Sequence, residues 1–119
     1  MTSLHHLRDV LVQDIERILG VEVIPNGKMR KAIDFFIGYL ESKGVTEAEL
    51  ITLEVVGAYR LYLRVYAERD DEEPLVSAAG ALLSAAVVRG LIVEEICQFY
   101  AHIAPIEFFT KSKINDCLN

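Results

Sequence analysis

His5, His6 and Asp9 come nearest, by type and spacing, to a metal site: positions three and four apart on a helix share a face, and imidazole with carboxylate is a zinc ligand set. Donors in the first turn of one helix do not close a coordination sphere, and Cys97 or His102 would have to arrive from elsewhere. The three therefore read as solvated side chains, and neither metal nor cofactor is expected. Cys97 and Cys117 lack both the density of a disulfide framework and C-x-x-C spacing, so they read as apolar thiols of a reducing compartment. His102 falls near a helix end, where the dipole favours an imidazolium and hence a capping role.

Acid–base chemistry needs a carboxylate whose pKa is raised by a pocket. Only Glu54, between Leu53 and Val55, meets that loosely, and an ion pair with Arg60 or a neighbouring helix is its expected fate. The chain contains no G-x-x-x-x-G-K, G-x-G-x-x-G, G-x-S-x-G or H-E-x-x-H, so no enzyme is expected. The run Asp70-Asp71-Glu72-Glu73 lacks EF-hand spacing and reads as a solvated loop.

Tyr59, Tyr62 and Tyr66 fall on one side of a helix beside Arg60 and Arg64, an arrangement able to stack single-stranded bases. Lys28, Arg30 and Lys31 add a second basic cluster in the first turn of another helix, the wrong end for cations with respect to the dipole. These five cations form a candidate anion or nucleic-acid patch. Against it, the net charge is −6, and residues 45–73 carry three basic against eight acidic residues, which repels phosphate. The tyrosines are better read as a core edge whose hydroxyls reach water or a partner. A nucleic-acid-associated regulator is the alternative reading, and an enzyme built in a bundle cavity around Glu54 and the tyrosines is a third.

The elements that must position these residues are all helical. Leu4 to Leu19 is apolar at helical spacing after a Thr2 or Ser3 cap, and Gly20 ends it. Val21 to Ile24 is an extended connector before Pro25-Asn26-Gly27, and a second helix covers about 28–42 up to Gly44. Thr46 and Glu49 have capping-box spacing, which predicts a long helix from about 46 to 69. Ile51, Val55, Ala58, Tyr59, Tyr62, Val65 and Tyr66 would be its broad buried arc, with Leu50, Leu53 and Leu61 on the opposite strip, and the helix would be the spine of the bundle.

Leu75 to Val88 has no charged residue, and small side chains recur at Ser77, Ala81 and Ala85 and at Gly80 and Ser84. A helix apolar on every side is buried on every side, and small residues four apart allow close crossings. Arg89 and the missing aromatic belt argue against a membrane span, leaving a core helix or the seam of a homo-oligomer. A further helix covers 91–103, and the tail carries Phe108-Phe109, of which one is expected to plug a neighbouring surface, then a short helix capped by Thr110.

The predicted protein is one all-α domain over residues 1–119, a compact bundle of five or six helices. A hydrophobic content of 52% is high for so small a soluble monomer, which predicts an interface. The expected role is a non-enzymatic interaction or assembly protein, a homo-oligomer (dimer or larger) that can also dock a protein partner. It would use Tyr59, Tyr62, Tyr66, Ser77, Ala81, Ser84, Ala85, Phe108 and Phe109. With no signal-peptide pattern at the start, cytoplasmic residence is expected.

Overall fold

Helix ends in this protein fall where backbone chemistry puts them. The computed structural model describes residues 1–20, 22–24, 27–67 and 71–103. Among these are five α-helices: α1 (Leu4–Leu19), α2 (Lys28–Ser42), α3 (Leu53–Tyr66), α4 (Glu72–Val88) and α5 (Glu94–Ile103), with no strand. The all-α bundle is therefore the fold. The Ser3 hydroxyl accepts from the His6 N–H at the start of α1. α2 and α4 end in the same way. Gly44 and Gly90 adopt φ of 80° and 71°, which only glycine takes cheaply. Val45 then donates to the Leu40 carbonyl and Leu91 to the Ala86 carbonyl, closing two Schellman motifs.

α4 is the centre of the bundle, touching all four other α-helices. It buries Leu75, Val76, Ala78, Ala79, Leu82, Leu83, Ala85 and Ala86. It begins at Glu72, three residues before the expected start, because glutamates at the positive end of the dipole are stabilising and Pro74 fits a first turn. Glu72 and Glu73 are thus helical rather than part of a loop. Arg60 reaches from α3 to Glu72 at 2.7 Å, and Arg89 at the far end of α4 meets Asp14 of α1 at 2.6 Å. α5 likewise begins at Glu94 rather than Leu91, since the Schellman closure takes up the intervening residues.

The long helix expected over 46–69 is a correction. Residues Ala48–Leu50 form a single 3-10 turn, Ile51 is extended, and α3 starts after Thr52, whose hydroxyl accepts from the Val55 N–H. The capping-box residues are engaged elsewhere. Glu49 accepts the Thr2 N–H at 3.0 and 2.8 Å, Ala48 donates to the Thr2 carbonyl, and Ser3 bridges Glu47 in antiparallel fashion. The Thr2 amide holds the Glu49 carboxyl below the usual range. With 14 residues, α3 is about 21 Å long and lies at the side of the bundle, so it is not the spine.

Residues 22–24 are neither helix nor strand; they are tied to α1 by the Val23 N–H, which donates to the Glu16 carboxylate, and Val23 is buried. The described residues share one apolar core and bury no charged side chain. No described helix is long and apolar enough to cross a membrane. The true start of α3 is testable by denaturant unfolding. Thr52→Ala is expected to cost about 1 kcal/mol, and Thr46→Ala, whose side chain caps nothing, less than half of that.

Candidate functional site

The three tyrosines of α3 have separate fates. Tyr59 is wholly buried, so it belongs to the core and not to a docking surface. Its ring packs against Phe36 at 4.7 Å and Tyr39 at 4.9 Å between centroids. Tyr62 is half-buried between Tyr39, Phe35 and Tyr66, and only Tyr66 is broadly exposed. The aromatic run is a cluster joining α2 to α3, at whose outer end Tyr66 stands in solvent. Glu54 is on the surface, on the other side of α3 from the buried Tyr59.

Rotation of α3 explains the difference. Its buried residues are Val56, Tyr59 and Leu63, whereas Val65, Ala58 and Tyr66, expected inside, are exposed. The apolar arc covers much of the circumference, and the described helices bury one side of it. The uncovered side carries Ala58, Leu61 and Val65, with Leu61 65% and Val65 72% exposed. Leu61 lies on the strip opposite the predicted arc, and its exposure agrees with that placement. Phe99 of α5 borders this stripe, for a Cβ at Gly57 would stand 3.2 Å from its ring.

The small side chains of α4 face two ways. Gly80 and Ser84 look toward α5, where a Cβ on Gly80 would lie 3.4 Å from the Tyr100 ring and Ser84 Oγ is 3.5 Å from Cys97 Sγ. Ser77, Ala78 and Ala81 instead line a cavity of about 370 Å³ between α1, α2 and α4. Ala85 is buried in the core. The close crossing expected along Ser77, Ala81 and Ala85 is thus an opening at its first two positions. Phe108, Phe109, Thr110 and Cys117 lie outside the described residues.

The five cations are divided by the fold. Arg30 pairs with Asp34 at 3.6 Å and Asp9 at 3.9 Å, and Arg60 is taken by Glu72. Lys31 and Arg64 are exposed, and Lys28 stands at the rim of the cavity. Asp9 is drawn to Arg8 and Arg30, and His5 lies 3.4 Å from Glu41, so two of the three side chains have other partners. Among the described residues no three His, Cys, Asp or Glu side chains are grouped to hold a metal ion. His102 is exposed in the last turn of α5.

Compared with known proteins, the chain matches no family model, and no curated protein or solved structure shows significant similarity to it.

Three buried phenols set the electrostatics of the core. Tyr39 Oη donates to the Val55 carbonyl and Tyr100 Oη to the Val76 carbonyl, each at 2.5 Å, joining α2 to α3 and α5 to α4. Tyr59 Oη has no hydrogen-bond partner among the described residues. Burial raises all three pKa values, with neighbouring tyrosines adding to the shift at Tyr59 and Tyr39. A raised folded-state pKa contributes stability that is full below the unfolded value of about 10 and is lost as pH rises from there. Stability is therefore expected to fall above about pH 10, with the tyrosinate absorbance of Tyr59 and Tyr100 appearing only on unfolding. At neutral pH, Tyr39→Phe and Tyr100→Phe should each cost about 1 kcal/mol in urea unfolding, whereas Tyr59→Phe should be neutral or stabilising by removing an unsatisfied hydroxyl.

Proposed function

We propose that this chain is a non-enzymatic helical assembly protein that docks a second copy of itself through the outer face of α3. The observation that carries the reading is the stripe Ala58, Leu61 and Val65, exposed among the described helices. At 100° per residue, Arg64, Gly57, Leu61, Glu54, Val65 and Ala58 fall within about 120° of arc.

The pattern is self-complementary. Two α3 helices laid antiparallel about a two-fold axis midway between Glu54 and Arg64 put each Leu61 against Gly57 and Ala58 of the other copy. Each Arg64 then faces the other copy's Glu54. Among the described residues neither Glu54 nor Arg64 is in an ion pair, and both are exposed. Glycine and alanine opposite leucine allow the axes to approach, and Phe99 and Tyr66 widen the patch on either side.

A stripe of one short helix is at the small end for a stable interface, so the dimer should dissociate on dilution. Light scattering after size exclusion is the test. Wild type is expected to shift from dimer to monomer as it is diluted, and Leu61→Asp to be monomeric throughout with an unchanged helical spectrum. Arg64→Glu should weaken the dimer by about tenfold, and the double exchange Glu54→Arg with Arg64→Glu should recover most of that loss. A wild type that is monomeric at every concentration overturns the reading.

A further inference from the structure

A different surface carries a binding site. The cavity between α1, α2 and α4 is lined by the buried Ala32, Ile33 and Ala78 with Ile15, Met29 and Ala81, all apolar, and by Ser77. At about 370 Å³ it falls within the range of small-molecule sites. Lys28 stands at its rim, and among the described residues it has no ion-pair partner.

We infer that this cavity binds a free medium-chain carboxylate, with the alkyl chain between α1, α2 and α4 and the carboxylate on the Lys28 ammonium. The chemistry follows from the lining. An apolar cavity rimmed by one cation selects an amphiphile with a single anionic head, since burying the alkyl chain is favourable and the head keeps a charged partner in water. A group of roughly water size takes about 30 Å³, so 370 Å³ accommodates a chain on the order of ten carbons with its carboxylate.

Features of α2 suit the same ligand. Its first turn contains no acidic residue and no side-chain cap, so nothing in that turn opposes an anion beside Lys28. Met29, unbranched and polarizable, can reshape the wall around a flexible chain. Arg30, in the same turn, is already held by Asp9 and Asp34, which singles out Lys28 as the cation for the head group. The site does not depend on pairing through α3, whose outer residues line no part of the cavity.

The test is isothermal titration of the purified full-length chain with decanoate below its micelle-forming concentration. Decyltrimethylammonium and neutral lipid vesicles containing decanoate serve as separate arms. Saturable binding of one decanoate per chain is expected, weakened about tenfold or more by Lys28→Glu, which replaces the rim cation with an anion. Ala81→Leu, which places a larger side chain in the cavity, should abolish binding. If that variant loses its helical spectrum, Ala81→Val takes its place with a smaller but still measurable loss. Absence of saturable binding overturns the inference. So does equal affinity for the cationic amphiphile, affinity indifferent to both substitutions in folded protein, or binding to vesicles without binding to free decanoate.

Discussion

Everything in this bundle depends on covering α4. Between Leu75 and Val88 it offers no charged side chain to water, and eight of its residues are buried. Such a helix is stable in water only when other elements surround it. α1, α2, α3 and α5 each meet it, and charged side chains at its two ends hold the cover in place: Arg60 on Glu72 at the start, Arg89 on Asp14 at the finish. These pairs are partly exposed, so their contribution is small beside the apolar burial, and they serve mainly to set where α3 and α1 cross the central helix.

α1, α2 and the buried character of α4 are legible in the sequence because local chemistry and tertiary environment agree there. Ser3 and Gly20 bracket α1, Gly44 and Gly90 stop α2 and α4, and the charge-free run could only be core. α3 is where they disagree. Thr46 and Glu49 have the spacing of a capping box, and locally nothing contradicts it. The competing partner is Thr2, more than forty residues away, whose amide takes the Glu49 carboxylate and whose carbonyl takes the Ala48 N–H. No window of sequence contains that interaction, so the helix start moves to Thr52.

The candidate sites were legible in composition and not in orientation. A wide apolar arc on α3 is visible at once, yet only the placement of α2, α4 and α5 determines that Val56, Tyr59 and Leu63 face inward while Leu61 and Val65 do not. Tyr59 illustrates the limit. Its hydroxyl suggests a half-exposed edge, and the phenol ring instead fills the space between Phe36 and Tyr39. Burying a hydroxyl without a partner is unfavourable, and the large aromatic area buried with it offsets that cost.

One composition produces opposite results on the two flanks of α4, and the difference lies in what faces it. Toward α5, Gly80 meets the ring of Tyr100, whose hydroxyl is anchored on the Val76 carbonyl, so a large rigid side chain fills the space the glycine leaves. Toward α1 and α2, Ser77, Ala78 and Ala81 share a cavity lining with Ala32, Met29 and Ile15, and no aromatic ring of the described residues fills the space. Protein interiors are close-packed, and an opening of this size at the edge of one leaves room for a further group. Salt bridges between the helices set how they sit around it. α2 is held to α1 by Arg8 and Arg30 on Asp34 and Asp9, and α1 is held to α4 by Asp14 on Arg89. The helices that cover α4 thus also line this opening, whose apolar character comes from Ile15, Met29, Ala32 and Ala81.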